Sequence, residues 1–214
     1  EADALVAGIE ANYAEILRPA LQVVGVAEGI RRVSGLYMMA FRDRGLLFLA
    51  DTTVNIDPDP QTLADIALQT AAFAREVGVE PRVAMVSFSN FGSAPHEESR
   101  KMAEAVARVR EADPELEIDG EMQADTAVDA RLLQEIYPFS NLSGPANVLV
   151  FSRLSAANAA YKLLERVGGG DAIGPVLRGM SRPVHVLQRG ATVQDVFNLT
   201  TVASVDWQGR NDHL

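Results

Sequence analysis

The sequence predicts an α/β fold with mainly parallel sheets and helices on both faces. Apolar runs of strand length alternate with amphipathic runs of helix length along most of the chain. A helix that connects two strands normally makes a right-handed crossover, which leaves the strands parallel. The composition agrees, because 48% hydrophobic and 22% charged residues in a chain of 214 are typical of a globular protein with a sizeable core.

The first quarter of the chain is expected to contain a short strand, a helix and a hairpin. An apolar run covers residues 3–7, and an amphipathic pattern predicts a helix over residues 13–24. Two strands are expected at 33–41 and 46–50, joined by the turn Arg-Asp-Arg-Gly at 42–45. Two strand-like runs separated by so short a polar turn indicate a hairpin.

The rest of the chain alternates helix and strand. Leu63, Ile66 and Phe73 fall on one stripe of a helix over residues 61–77, and Pro58 and Pro60 set the boundary before it. Further strands are expected at 82–87, 116–120, 148–151 and 185–187, and further helices at 97–110, 125–136, 156–167 and 192–205. Glycines at 168–170 end one helix, and Thr192 is a suitable N-cap for the last.

Composition and charge exclude several classes of function. The chain has no cysteine, and therefore neither a disulfide nor a thiolate metal site. Its formal net charge of −10 repels nucleic-acid backbones, and its apolar runs are too short to span a bilayer. The acidic first residues lack the basic stretch of a signal peptide. We therefore expect a cytoplasmic protein with no nucleic-acid partner and no membrane partner.

Neither a metal site nor a dinucleotide site is indicated. The histidines, His96, His185 and His213, do not have metal-ligand spacing. The three glycines at 168–170 follow a helix, whereas a dinucleotide-binding fingerprint follows a strand. We therefore expect that these 214 residues bind neither a metal ion nor NADP.

The segment 187–196 has the features of an anion-binding helix N-terminus. Arg189 precedes a glycine turn, and Asp195 stands in the first turn of the helix that follows. The residue before the arginine is Gln188, whose amide donates and accepts hydrogen bonds but does not titrate. The pattern is therefore compatible with a pocket that holds a ligand without transforming it.

A second candidate site is a loop of hydrogen-bonding residues after the strand at 82–87. Ser89, Asn90 and Ser93 lie where the strand ends before a helix, and ligands of open α/β sheets bind at the carboxyl ends of strands. The alternative is an ordinary turn, because serine and asparagine favour turns for local reasons.

A third candidate is a row of polar residues on one helix. Asn158, Lys162 and Arg166 are spaced four apart, which stacks an amide and two cations on one face that could follow a pyrophosphate. A solvated face is the alternative. Arg18 likewise either contacts an anion or pairs with Glu15.

Short motifs occur along the chain in a recognisable order. They are Leu-Arg-Pro-Ala-Leu-Gln at 17–22, Pro-Arg-Val-Ala-Met at 81–85, Gly-Ser-Ala at 92–94, Ile-Asp-Gly-Glu-Met-Gln at 118–123, Ala-Asn-Val-Leu at 146–149, Ala-Tyr-Lys at 160–162 and Ile-Gly-Pro at 173–175. In this order they resemble the C-terminal two-thirds of the phosphate acetyltransferase (phosphotransacetylase) family.

The resemblance implies a phosphotransacetylase-like, that is isocitrate/isopropylmalate dehydrogenase-like, architecture of two α/β domains. The acyl-CoA site of that architecture lies in the cleft between the domains. Residues 1–30 and 189–214 would be the remainder of a first domain whose N-terminal part is missing, and residues 31–188 would be the second domain.

The resemblance also shows where this chain departs from the catalytic pattern. The Ser-Arg-Gly step and its following aspartate read Gln188-Arg189-Gly190 and Asp195, so only the serine is lost. The serine-rich step before residue 17 reads Asn-Tyr-Ala-Glu, the Ser-Thr-Lys-Gly-Ser loop loses its lysine at 89–93, and the Asp-x-Asn-x-Gly-Asn segment keeps only Asn158. Each lost donor to developing negative charge lowers a rate by about 10²–10³. Lys162 and Arg166 match positions that the family uses for CoA.

With these departures the chain resembles the phosphotransacetylase-like domain at the C-terminus of large bacterial NADP-dependent malic enzymes. That resemblance implies a regulatory domain, inert in acetyl transfer, that binds acetyl-CoA or CoA as an effector through Lys162, Arg166, Arg18 and Arg189. It also implies a malic-enzyme catalytic domain in the same chain, which would hold the metal and NADP and decarboxylate malate to pyruvate, and a homodimer or larger homo-oligomer.

Two other functions compete with this one. The first is an active phosphate acetyltransferase, in which Asp195 activates the CoA thiol and Arg189 holds acetyl phosphate. The second is an oligomerisation domain with a vestigial pocket. Whether this chain is an enzyme by itself is left open by the sequence.

Overall fold

A computed structural model describes residues 2–211 as two sheets with helices around them. The elements are, in order, β1 (Leu5–Gly8), α1 (Tyr13–Val23), β2 (Ser34–Phe41), β3 (Gly45–Ala50), α2 (Pro60–Glu76), β4 (Arg82–Val86), α3 (Glu97–Ala112), β5 (Glu117–Met122), α4 (Ala124–Val128), α5 (Ala130–Ile136), β6 (Val148–Phe151), α6 (Leu154–Arg166), β7 (Asp171–Arg178), β8 (Val184–Leu187) and α7 (Val193–Asn211).

The main sheet has six strands in the order β5-β4-β6-β3-β2-β7. Strands β5, β4, β6 and β3 run parallel to one another, which confirms the predicted α/β class. The last two pairings, β3 with β2 and β2 with β7, are antiparallel. The sheet is therefore mixed and mostly parallel, with the predicted hairpin of β2 and β3 inside it.

Within residues 2–211 the small sheet consists of β1 and β8, which pair in parallel from Leu5 with Val184 to Gly8 with Leu187. This pairing brings the two ends of the described chain together beside the main sheet. β8 lies in the predicted second domain and β1 in the predicted first domain. The division at residues 31 and 189 stays a prediction.

The alternation of side chains on β2 explains why helices cover both faces of the main sheet. Leu36 and Met38 belong to a core shared with α2 and α3. Tyr37 and Met39 point to the opposite core, which is shared with α4, α5 and α6. Because successive strand residues face opposite sides, one apolar run supplies both cores.

Three elements differ from the sequence prediction. β7 is not predicted, because its Gly174-Pro175 step is typical of a turn; the strand tolerates the proline because it lies at the sheet edge. The helix predicted at 125–136 is divided at Asp129, whose carboxylate accepts hydrogen bonds from the amides of Arg131 and Leu132 and so starts α5. The last helix continues to Asn211, beyond the predicted end at 205.

A buried charge network holds the last helix against the sheet. The Asp206 carboxylate on α7 is inaccessible to solvent and pairs with Arg210 at 2.7 Å and with Arg178 of β7 at 3.0 Å. Arg178 also reaches Glu76 at the end of α2 at 2.5 Å. Moving α7 away from the sheet would leave the buried Asp206 and Arg178 charges without partners, which costs several kcal/mol. The network therefore holds α7 in position.

Within residues 2–211, no helix has the length and apolar character that a membrane crossing requires. The cytoplasmic location stays a prediction.

Candidate active site

A cleft of about 960 Å³ opens between the second half of α6 and the turn that precedes α7. Its floor is formed by β2 and by the first residues of β7, and its two walls by residues 161–166 and 187–198. β8, which leads into the second wall, pairs with β1 and packs against β7, whose first residues are part of the floor.

The α6 wall carries two cations. Ala157 and Tyr161 of this helix are buried, whereas Lys162 and Arg166 are exposed and line the cleft. The Nε atom of Arg166 is 3.7 Å from the Glu165 carboxylate, which is long for an ion pair between exposed groups. Arg166 can therefore turn toward an anionic ligand at little cost, whereas Lys162 Nζ lies over the Tyr161 ring, 5.0 Å from its centroid.

The opposite wall carries Arg189. Its Nε donates a hydrogen bond of 3.1 Å to the carbonyl of Glu10, which anchors the guanidinium near the end of β1. The next residue, Gly190, has φ +80°, a left-handed conformation that favours glycine. This turn holds the arginine at the cleft and leads directly into α7.

Asp195 is fixed at the start of α7 by a reciprocal cap. Its Oδ2 accepts hydrogen bonds from the Thr192 amide at 2.7 Å and from the Thr192 hydroxyl at 2.8 Å, and its own amide donates to that hydroxyl at 3.2 Å. This geometry confirms Thr192 as the N-cap. The helix dipole stabilises the carboxylate there. Both of these hydrogen bonds are accepted by Oδ2, and Oδ1 takes no part in the cap.

Gln188 lines the cleft between these groups. Its backbone carbonyl accepts a hydrogen bond of 3.2 Å from the Ala191 amide, which closes the turn, and its side chain is half-buried. The position at which the catalytic pattern has a serine hydroxyl is thus occupied by an amide.

The floor of the cleft is aromatic. The rings of Tyr37 and Tyr161 are stacked with their centroids 3.9 Å apart and their planes at 11°. Burial raises the pKa of Tyr37 well above its ordinary value, and the neighbouring Tyr161 adds to the rise. A Cβ on Gly174 would lie 2.8 Å from the Tyr37 ring, so only glycine fits opposite the stack. Sequence reasoning missed Tyr37, because an aromatic residue in a buried strand is typical of a core.

Two predicted contacts lie away from the cleft lining. Asn158 is on α6, where its side-chain amide donates to the Thr52 carbonyl at 3.3 Å. Arg18 is exposed on α1. Glu15 does not serve as the predicted partner of Arg18 but accepts from the Asn12 amide at 2.9 Å, which lowers the pKa of Glu15.

The loop with Ser89, Asn90 and Ser93 satisfies its own hydrogen bonds. The buried Ser89 hydroxyl donates to Glu121 at 2.8 Å, and the Asn90 side chain forms a reciprocal pair with Gln123 at 3.0 and 2.7 Å. The Ser93 hydroxyl accepts from the Asn90 amide at 2.9 Å. These geometries match the turn alternative, and the three residues lie apart from the lining of the cleft.

The histidines of the described chain have structural surroundings. His96 caps α3, where its Nδ1 accepts from the Glu98 amide at 3.1 Å. His185 is completely buried in β8, and its Nδ1 accepts from the Leu177 amide at 3.3 Å. Burial lowers the pKa of His185 to about 4. His213 lies outside the described residues.

Comparison with known proteins identifies the family. The family model described as "Phosphate acetyl/butaryl transferase" matches residues 1–204. The chain belongs to the phosphate acetyl/butyryl transferase family. This agrees with the family resemblance of the sequence motifs and with the placement of Arg189 and Asp195 in one cleft.

Relatives in this family are similar over almost the whole chain. A phosphate acetyltransferase of Bacillus subtilis (strain 168) is 43% identical over 203 residues, which are 95% of this chain and 62% of that protein. One of Clostridium acetobutylicum is 41% identical over 212 residues, 96% of this chain and 64% of that protein. The chain thus spans less than two thirds of the length of these relatives.

Solved structures of the family have the same fold. A phosphotransacetylase from Streptococcus pyogenes superposes with a TM-score of 0.93 at 36% identity, covering 97% of this chain and 64% of that one. The EutD phosphotransacetylase from Staphylococcus aureus gives a TM-score of 0.88 at 39% identity, covering 96% and 63%.

These relatives overturn the expected malic-enzyme function. The departures from the catalytic pattern pointed to an inert regulatory domain of an NADP-dependent oxidoreductase, and that expectation is wrong. Relatives 41–43% identical over about 95% of the chain are named phosphate acetyltransferase, a transferase. The physical reason is that a single replacement such as Gln188 removes one hydrogen-bond donor and so lowers a reaction rate. It does not remove the cleft, in which Arg189 and Asp195 still lie together.

Proposed function

We propose that this chain transfers an acetyl group between CoA and phosphate, as a phosphate acetyltransferase does. The observation that carries the proposal is the convergence of Lys162, Arg166, Arg189 and Asp195 on one cleft. Two of them are the arginine and aspartate of the family's catalytic pattern, and the other two match its CoA positions.

The nucleotide end of CoA is assigned to the α6 wall. Lys162 and Arg166 are one helical turn apart, and cations so spaced can contact successive phosphates of a diphosphate. The opposite wall then faces the thiol. In this arrangement CoA crosses the cleft from α6 to the start of α7.

The reacting groups are assigned to Arg189 and Asp195. In the direction of acetyl-CoA formation, Asp195 accepts the thiol proton, the thiolate attacks the acetyl carbonyl, and the bond from that carbon to the phosphate oxygen breaks. The leaving phosphate keeps the electron pair of that bond and is stabilised by Arg189. A positioned general base contributes about 10²–10⁴ in rate, and the cap from Thr192 holds this base in place.

The replacement of the serine by Gln188 lowers the expected rate. One missing donor costs about 10²–10³, and typical enzymes turn over about 10 times per second. We therefore expect a turnover number on the order of 0.01 s⁻¹ or faster.

The proposal is tested by following acetyl-CoA formation from acetyl phosphate and CoA with the purified chain. Turnover that depends on enzyme concentration and is abolished in Asp195→Asn supports it. A rate equal to the background without protein, at saturating concentrations of both substrates, contradicts it. The predicted homo-oligomer is a separate proposal, and light scattering of the same sample tests it.

A further inference from the structure

We propose that the buried ion pair between Arg178 and Asp206 positions the base Asp195 for proton transfer. Both members of the pair lie outside the lining of the cleft. They act through α7, the helix that carries the base, and are therefore positioning residues. The inference rests on the proposed acetyl transfer, because it concerns the distance between the floor of the cleft and the wall that holds the base.

The first half of α7 has little anchorage of its own. Residues 192–198, which include Asp195, are exposed or half-buried, and the side chains of Val193 and Phe197 are 88% and 64% exposed. Val196 packs its partly buried side chain against the main core. The cap from Thr192 is internal to this segment and does not tie it to the main sheet. The position of Asp195 therefore depends on what holds the rest of the helix.

The second half of α7 is firmly held. Leu199 and Val202 are buried in the core that α2 and α3 share, and Asp206 is inaccessible to solvent. Asp195 and Asp206 are about 16 Å apart along the helix axis. Because the α-helix is stiff over this length, a small tilt or rotation at Asp206 displaces Asp195 at the cleft.

The ion pair joins α7 to the strand that forms part of the cleft floor. Arg178 is the last residue of β7, whose first residues, up to Gly174, line the cleft. From Gly174 to Arg178 the strand advances about 13 Å, which is similar to the length of helix between Asp195 and Asp206. Strand and helix thus both start at the cleft and are tied together at their far ends.

The contacts of Asp206 are directional, whereas apolar packing is not. Arg210 donates from Nε and Nη2 to the two carboxylate oxygens of Asp206 at 2.7 and 3.1 Å, and from Nη1 to the carbonyl of Met180 at 2.8 Å. Arg178 lies 3.0 Å from the same carboxylate. Two-point contacts between arginine and carboxylate define an orientation as well as a distance. They therefore set the rotation of α7 and its position along the axis.

The expected effect is on the rate and not on the affinity for CoA. A base must lie within hydrogen-bonding reach of the proton it removes, and a misplacement of about 1 Å caused by a remote substitution can cost about 10²-fold. The diphosphate of CoA is assigned to Lys162 and Arg166 on α6, which this network does not hold. Loosening α7 should therefore lower kcat and leave the Kd for CoA nearly unchanged.

The test compares Asp206→Asn with Asp119→Asn as a matched control. Each variant neutralises a buried carboxylate that pairs with an arginine, Asp206 with Arg178 at 3.0 Å and Asp119 with Arg110 at 2.8 Å. Asp119 is on β5, at the opposite edge of the main sheet from β7. The measurements are kcat, the calorimetric Kd for CoA, and amide hydrogen exchange of residues 193–198 without substrate.

We expect Asp206→Asn to lower kcat about 10²-fold, to change the Kd for CoA less than twofold, and to speed amide exchange in residues 193–198. Asp119→Asn should match the wild type in all three measurements. Arg178→Lys keeps the positive charge but lacks the fork that contacts two carboxylates, so its kcat should fall less, about 10-fold. If Asp206→Asn does not fold, Arg178→Lys provides the same comparison.

Two results would overturn the positioning role. One is an equal loss of kcat in Asp119→Asn, which would indicate a general effect of stability. The other is a folded Asp206→Asn variant that keeps a third or more of the wild-type kcat. If the wild type shows no transfer, the proposed function fails. Faster exchange of residues 193–198 in Asp206→Asn alone would then still support the anchoring of α7, and unchanged exchange would overturn it.

Discussion

Variants of Asp195 and Thr192 distinguish the proposed catalytic role of Asp195 from its role in capping α7. In the proposed function Asp195 has two roles: its Oδ2 accepts two hydrogen bonds at 2.7 and 2.8 Å from Thr192, and its carboxylate accepts the thiol proton. Asp195→Asn keeps an acceptor oxygen for the cap but removes the base. Thr192→Ala removes the hydroxyl of the cap but leaves the carboxylate and its hydrogen bond to the Thr192 amide.

The magnitudes follow from these contacts. Loss of a threonine N-cap costs about 1 kcal/mol of stability, so Thr192→Ala should lower the free energy of unfolding by that amount and change kcat only a few-fold. Asp195→Asn should cost less than about 1 kcal/mol of stability. Its kcat should fall by about 10²–10⁴ because the general base is lost, which is about 3–5 kcal/mol in the barrier.

Urea unfolding gives the stability of the two variants, and acetyl-CoA formation from acetyl phosphate and CoA gives their activity. The reasoning is refuted if Asp195→Asn retains a third or more of the wild-type kcat. It is also refuted if Thr192→Ala loses as much activity as Asp195→Asn, because the carboxylate would then act only through the cap.

Three further predictions concern single residues. Lys162→Ala and Arg166→Ala should each raise the Kd for CoA, measured by calorimetric titration, about 10-fold, because each loses a charge-assisted contact. The control is Arg131→Ala, which removes an exposed arginine on α5 whose guanidinium is 3.9 Å from Glu135. It should leave that Kd unchanged. Gln188→Ser should raise kcat about 10- to 100-fold by restoring a donor, and an unchanged or lower kcat would exclude a role for a hydroxyl at this position. Burial lowers the pKa of His185 to about 4, so as the pH falls the unfolded state binds a proton before the folded state does. The free energy of unfolding should therefore be full above pH 6.5 and decline by up to about 3 kcal/mol as the pH falls to 4. Urea unfolding of His185→Asn should show a pH dependence that lacks this part of the decline.

The sequence predicts the fold well where hydrophobic periodicity is strong. Alternation on β2 distributes Leu36 and Met38 to one core and Tyr37 and Met39 to the other, so the strand is recognisable without its neighbours. β7 escapes prediction because its Gly174-Pro175 step has the local signal of a turn. Only the position of β7 at the sheet edge makes the proline acceptable, and that position is a tertiary property.

The candidate site is predictable in part. Lys162 and Arg166 are neighbours through helical spacing, and Arg189 and Asp195 through a helix start, so local rules find both pairs. That the two pairs share a cleft depends on the packing of β8 against β7, which local patterns do not reveal. For the same reason the sequence does not decide whether the loop at Ser89 and Asn90 is a ligand site or a turn, since its hydrogen-bond partners Glu121 and Gln123 are more than 30 residues away.

The tyrosine floor shows a different limit. Tyr161 occurs in a family motif, but its role as one half of a ring stack depends on Tyr37, which is 124 positions earlier in the chain. Buried aromatics on a strand and on a helix are normally core residues. That both rings line one cleft depends on the tertiary fold.

The most direct test of the account is a crystal structure of the chain with CoA bound. We predict the diphosphate within hydrogen-bonding distance of Lys162 or Arg166, and the thiol sulfur on the opposite wall within about 4 Å of the Asp195 carboxylate. A diphosphate bound elsewhere, or a thiol directed away from Asp195, would contradict it.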